Sequence, residues 1–164
     1  MQGLVKEGLA YARSLDERSP PQPIELGPLL QALAEDARDM GWTVRVPADA
    51  AGRVIGTPSA LRRALWNLIE NGVKFGREVD VSLSRDAARC EIRIRDHGPG
   101  LPADELDKVF EPFYRTESSR SRETGGSGLG LAITRNLLRA QGGEACLCNH
   151  PDGGLEAVVT LRVR

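Results

Sequence analysis

Three short stretches of this chain carry side chains whose chemistry and spacing suit a phosphorylated ligand. In the first, Asn67, Asn71 and Lys74 stand at i, i+4 and i+7 of a run in which Leu61, Leu65, Leu68, Ile69 and Gly72 share one helical face. The polar three form a narrow stripe beside the apolar one, where the rim of a cleft belongs. An asparagine amide offers a neutral hard oxygen to Mg²⁺, an ion that keeps most of its waters and leans on substrate phosphates. Lysine adds a mobile positive charge for a phosphate. Taken alone, the stripe is more simply a solvated helix face.

The second stretch is Asp96-His97-Gly98-Pro99-Gly100. Cys90, Ile92 and Ile94 alternate with polar residues, and Asp96 shares their parity, so it continues the buried face of a strand to its end. A buried carboxylate needs partners. A structural aspartate capping the glycine turn is the plain alternative to a binding role, and His97 reads as a loop residue. The third stretch is Gly125-Gly126-Ser127-Gly128-Leu129-Gly130-Leu131, which leads straight into an apolar helix. Exposed backbone N–H groups and the helix dipole make such a junction a phosphate cradle. The Gly-x-x-x-x-Gly-Lys-Ser/Thr loop is absent, and no strand precedes the glycines as a dinucleotide fingerprint requires.

Phe110-Glu111-Pro112-Phe113-Tyr114-Arg115 lies between the two glycine segments. In this order the stretches resemble the N, G1, F and G2 boxes of the catalytic ATP-binding domain of sensor histidine kinases. The resemblance covers residues 55–135 by motif and the whole chain more loosely. It implies one Mg-ATP pocket. Asn71 is then the Mg²⁺ ligand, and Asn67 a phosphate or metal-shell contact. Asp96 accepts a hydrogen bond from the adenine amine, with Gly98 and Gly100 leaving room for the base. Phe75, Leu101, Phe110 and Tyr114 are expected around the nucleotide. Gly126, Ser127, Gly128, Leu129, Gly130 and Leu131 cradle the phosphates. Asn67, Lys74 and Arg115 are the candidate catalytic residues, Arg115 at the γ-phosphate. Phe110 and Phe113 have helical spacing and are expected to anchor the F-box loop to the core.

Gyrase-like ATPases of this fold carry a glutamate base where Asn67 stands. Asparagine cannot accept a proton near neutral pH, so water activation should be poor, which suits an enzyme that passes phosphate on. Glu70 reads as a solvated neighbour. Gly72 replaces a usual alanine and Gly76 a usual Ser or Thr, and both are expected to loosen the helix end. No phosphoacceptor box surrounds His97 or His150. The resemblance therefore implies a kinase fragment whose acceptor histidine lies on a separate dimerisation domain. A response regulator receiver domain follows downstream, and the full-length protein is expected to be a homodimer. A stand-alone serine kinase of the same fold and a degenerate binding module are the competing readings. The first sits badly with the N-terminal helix, the second with intact Asn71, Asp96 and glycine loops.

The elements that must position these residues follow from periodicity and breakers. Residues 3–16 read as a helix, like the tail of the second helix of a dimerisation and phosphoacceptor hairpin, within a segment 1–18. Residues 19–23 read as a proline-rich linker. Residues 24–164 form the ATP-binding domain. Within it come a strand at 24–26, a helix over 28–40 closed by Gly41, and strands at 43–46 and 53–55. Thr57 is the expected N-cap of the next helix, with Pro58 in its first turn. Strands around Val79–Leu83 and Cys90–Ile94, a short helix over 103–108 and a mobile loop over 111–126 follow, of which 115–126 should act as a lid over bound nucleotide. A helix over 129–140 ends at Gly142-Gly143, and two strands close the chain. Antiparallel pairs with helices on one face imply an α/β class fold, a two-layer sandwich whose mixed sheet is covered on one side.

The bulk properties agree. The 164 residues suit one domain, and 40% hydrophobic composition supplies one core. A net charge of −1 with mixed signs argues against a nucleic-acid partner. No apolar run reaches the roughly 20 residues that span a bilayer. The expectation is a cytoplasmic, soluble portion of a protein anchored in the membrane at full length. Cys90, Cys146 and Cys148, an odd number, read as structural thiols in a reducing compartment.

Overall fold

The computed structural model describes Leu9, residues 20–114 and residues 130–163. The N-terminal helix expected over 3–16, Leu9 apart, and residues 115–129 lie outside the described residues. So do Arg115, Gly126, Ser127, Gly128 and Leu129, and with them the lid expected over 115–126.

The elements run β1 (Gln22–Glu25), α1 (Leu26–Asp39), β2 (Thr43–Arg45), β3 (Arg53–Gly56), α2 (Pro58–Gly76), β4 (Glu78–Arg85) and β5 (Arg89–Asp96). Two 3₁₀ turns follow, Ala103–Glu105 and Lys108–Phe110. Then come α3 (Gly130–Arg139), β6 (Glu144–Asn149) and β7 (Leu155–Arg162). Five strands form one sheet in the order β2-β4-β5-β7-β6. Only the β2–β4 pair is parallel, so the sheet is mixed. β1 and β3 make a separate antiparallel pair, Gln22 opposite Gly56.

Strand alternation sorts the sheet into two faces. Val79, Val81, Ile92, Ile94, Ala157 and Val159 are buried with Leu30 and Leu33 of α1, Leu61, Leu65 and Ile69 of α2, and Leu137 and Leu138 of α3. The opposite parity carries ion pairs: Arg45 with Asp80 at 2.9 Å, and Arg93 with Glu156 at 2.8 Å. An apolar inner face and a largely polar outer one, as β4 and β5 show most plainly, is the pattern that leaves one layer of helices on one side. The expected two-layer α/β sandwich is the fold observed.

Several local expectations shift. α1 begins at Leu26, two residues early, because Pro28 falls within the first turn, where no amide is needed for the helix ladder. Thr57 occupies the N-cap position of α2 but its side chain makes no cap bond. Its backbone N–H instead donates to Gln141 Oε1 at 2.8 Å, tying α2 to the chain beyond α3. The short helix expected over 103–108 is the two 3₁₀ turns. The closing helix does end as expected: Gly142 has φ +77°, and Gly143 N–H donates back to Leu138 O at 2.9 Å. The three cysteines are free thiols, Cys90 buried and Cys146 exposed. Burial, then the neighbouring Glu156 carboxylate, push the Cys148 thiol up.

Candidate functional site

α2 carries the polar stripe. Leu61, Leu65, Leu68, Ile69 and Gly72 face the core, while Asn67 and Asn71 stay half-buried and Lys74 is exposed. Among the described residues none of these three makes a side-chain hydrogen bond or ion pair. Two half-buried amides that no described residue satisfies offer donors and acceptors to a ligand. Glu70 is exposed, as expected of a solvated neighbour.

Where α2 ends, β5 ends beside it. Asp96 is 4% exposed, the most buried carboxylate among the described residues. Its Oδ1 accepts two backbone N–H bonds, from Gly98 at 2.9 Å and from Leu155 at 3.0 Å. Among the described residues nothing donates to Oδ2. One oxygen thus does the structural work of capping the turn, and the other, among the described residues, is an acceptor without a donor. Such a group is costly unless a ligand or water completes it. The two readings of Asp96 divide between its two oxygens.

The glycines around Asp96 are demanded by the protein itself. A Cβ on Gly76 would sit 2.5 Å from Asp96 Cβ, and one on Gly72 2.8 Å from Val79 Cγ2. These substitutions therefore do not loosen the helix end; they let α2 close onto β4 and β5. Gly98 packs against the Phe75 carbonyl and Gly100 against Asn149 Oδ1, each too near for a Cβ. Gly154, at φ +87°, is tighter still, with a Cβ placed 2.0 Å from the Asp96 carbonyl oxygen. Gly154→Ala combines backbone strain with a collision and should cost about 2–4 kcal/mol of stability. Urea unfolding measures this, and an unchanged midpoint would mean that the β6–β7 turn does not brace Asp96.

His97 is more than a plain loop residue. Its Nε2 lies 2.6 Å from Asp80 Oδ2, and Arg45 holds the other Asp80 oxygen at 2.9 Å. Burial works to raise the Asp80 carboxyl, but the bonds from His97 and Arg45 outweigh it and hold it below its usual range. The backbone just after Asp96 is thereby pinned to β4.

The F-box residues separate. Phe110 is 4% exposed, with the Arg135 guanidinium 3.9 Å over its ring. Arg135 also reaches Asp107 and Glu144, each at 3.2 Å, and so fastens α3 to the turn that carries Phe110. Sequence reasoning did not single out Arg135; an arginine on the inner edge of an amphipathic helix gave no signal by itself. Phe113 is not an anchor: it is 61% exposed and takes φ +65°, a backbone conformation that aims its ring away from the core. Tyr114 O–H donates to Glu105 Oε1 at 2.6 Å. Leu101 and Leu131 pack partly buried on the core. Gly130 opens α3, with no described residue within 4 Å of where a Cβ would stand, and α3 packs against α2. The G1 turn thus closes on the end of α2 beside the N box, and the F-box turn is held against α3, while the rest of the second glycine segment lies outside the described residues.

A sequence model for the family described as histidine kinase-, DNA gyrase B-, and HSP90-like ATPase matches residues 56–164. The chain belongs to this family. The ATPase-family domain is 37% identical over 160 residues to sensor histidine kinase GtrS of Pseudomonas aeruginosa, covering 98% of this chain and 32% of that protein. It is 35% identical over 136 residues to sensor histidine kinase CpxA of Escherichia coli, covering 81% of this chain and 30% of that one. It thus spans roughly a third of the curated relatives it matches. Among solved structures, the ATP binding domain of PrrB from Mycobacterium tuberculosis superposes with a TM-score of 0.72 at 32% identity, covering 88% of this chain and 98% of that chain. Full-length ShkA, solved in complex with AMPPNP, gives 0.80 at 27% identity, covering 96% of this chain and 35% of that one. The domain is the ATP-binding catalytic domain of the sensor histidine kinase type. No helix among the described residues is long and apolar enough to cross a membrane.

Proposed function

We propose that this domain binds Mg-ATP and passes the γ-phosphoryl group to a histidine on a separate dimerisation domain of the same protein, the first step of two-component signalling. The observation that carries the reading is the orphaned Asp96 Oδ2 beside the unsatisfied Asn67 and Asn71 amides, within a domain of this family. The relatives named as sensor kinases, and the AMPPNP-bound ShkA, support it.

Asp96 Oδ2 accepts from the adenine amine, with Phe75, Gly98, Gly100 and Leu101 around the base. Asn71 offers its amide oxygen to Mg²⁺, and Asn67 contacts phosphate or the metal's water shell. When bound, Mg²⁺ neutralises charge on the phosphate oxygens. Lys74 and Arg115 add positive charge, Arg115 at the γ-phosphate. Phe110 and Tyr114 hold the start of the loop that leads to Arg115. The N–H groups of residues 126–131 cradle the phosphates. In the transfer, a neutral histidine nitrogen attacks the γ-phosphorus, the bond to the bridging oxygen breaks, ADP keeps that electron pair, and the histidine proton passes to solvent. Positioning and charge neutralisation do most of the work. Asn67 cannot take a proton from water, so hydrolysis stays slow.

Residues 1–18 are assigned to the end of the dimerisation hairpin, and the full-length protein to a membrane-anchored homodimer that hands its phosphate to a receiver domain. Labelled γ-phosphate from ATP should appear on the protein's own hairpin domain when that domain is supplied. The isolated chain should show none on His97 or His150. Acid-labile, alkali-stable phosphate on either, or no transfer to the hairpin, would overturn the reading.

A further inference from the structure

We propose that Asn149 is a positioning residue of the nucleotide site. Its side-chain amide clamps the far end of the turn that follows Asp96 and so sets where Gly100 and Leu101 hold the base against Asp96 Oδ2. The proposal rests on the base-reading role given to Asp96 above.

The clamp is bidentate. Asn149 Oδ1 accepts from Leu101 N–H at 2.9 Å, and Asn149 Nδ2 donates to Leu101 O at 2.7 Å. Both backbone groups of one residue are thus satisfied by one side chain from 48 positions away, as a neighbouring strand would satisfy them. Gly100, at φ +76°, presses so close that a Cβ there would lie 2.4 Å from Asn149 Oδ1.

The same two turns are joined at two more points. Leu155 N–H donates to Asp96 Oδ1 at 3.0 Å, and the Arg95 guanidinium reaches Gly153 O at 3.0 and 3.2 Å. Arg95 and Leu155 hold the start of the 96–101 segment; Asn149 alone among the three holds its end. Without Asn149 the far end, Gly100 and Leu101, loses its tether while Asp96 stays held, and a base lying against those residues is no longer fixed against the Asp96 oxygen left for it.

Asn149 is solvent-exposed, so its amide adds nothing to the core and alanine removes the clamp without opening a cavity. Few side chains can replace it. Aspartate keeps an acceptor for Leu101 N–H but turns a second acceptor toward Leu101 O. Glutamine, one methylene longer, overshoots.

The test is calorimetric titration of the full chain with Mg-ATP and Mg-GTP, comparing wild type with Asn149→Ala, Asn149→Asp and Asp96→Asn. Asn149→Ala should weaken Mg-ATP about tenfold and narrow the ATP-to-GTP affinity ratio, because a base no longer fixed by Gly100 and Leu101 is read less sharply by Asp96. Asn149→Asp should recover part of both. The melting temperature should move by no more than about 3 °C, and hydrogen exchange should quicken at the Leu101 amide but not in β1. A narrowed ratio with a preserved fold is the signature that a merely structural residue would not give. Wild-type affinity and ratio in Asn149→Ala, beside a weakened Asp96→Asn, would overturn this proposal alone. Full ATP preference in Asp96→Asn would remove the base-reading role and this proposal with it.

Discussion

Replacing Asn71 with alanine is expected to cut Mg²⁺-dependent phosphoryl transfer by about a hundredfold while the domain stays folded. The two halves of that expectation have separate grounds. Asn71 is half-buried on α2, and among the described residues its amide has no protein partner, so the fold loses no hydrogen bond. Alanine is also the better helix former by a few tenths of a kcal/mol, roughly 0.5. The loss should fall on transfer because, in the role proposed for it, the amide oxygen serves Mg²⁺ and not the fold. Asn71→Asp sharpens the experiment: it keeps an oxygen at the site but adds a charge, and should shift the Mg²⁺ concentration needed for half-maximal transfer. Transfer to the hairpin domain across a Mg²⁺ titration, with melting temperature as the control, measures both. Wild-type transfer by a folded Asn71→Ala protein would remove Asn71 from the metal site.

The second large effect is at Asp96. Asp96→Asn leaves an oxygen to accept from Gly98 and Leu155, so the turn keeps its cap. Where Oδ2 stood there would be an N–H₂ donor, which in the proposed role would face the adenine amine, another donor. Leaving a buried group unmatched costs roughly 1–3 kcal/mol, or about ten- to a hundredfold in ATP affinity. Guanine presents a carbonyl oxygen at that place, so GTP should lose less or gain. Calorimetry with both nucleotides is the measurement, and equal losses for ATP and GTP would show that Asp96 acts only through the turn. Asp96→Ala cannot make this distinction, since it strands two buried N–H groups as well.

Much of this site is legible along the chain because its logic is local. The α2 stripe follows from 3.6-residue periodicity, and the burial of Asp96 from its parity with Cys90, Ile92 and Ile94; each needs only a window of a dozen residues. The same holds for the alternating strands and for the Gly142-Gly143 stop after α3. The chemistry of the stripe and the glycine segments, set in one order, was enough to indicate a nucleotide and its family.

Only the tertiary structure decided what depends on residues far apart. The β1–β3 pair joins segments separated by a whole helix, and no local pattern names its register. Periodicity placed Phe110 and Phe113 together, but the left-handed backbone at Phe113 turns one ring outward, while Arg135 from α3 covers the other. Gly76 looked like a weak point in a helix; it is the place where α2 meets Asp96 with no room for a Cβ. The division of Asp96 into one satisfied and one orphaned oxygen depends on Leu155, and the clamp on Leu101 depends on Asn149, both from the last hairpin. Side-chain type and spacing state what chemistry is available within a turn or strand. Which atoms remain unsatisfied is set by packing between segments, and that is a property of the folded chain.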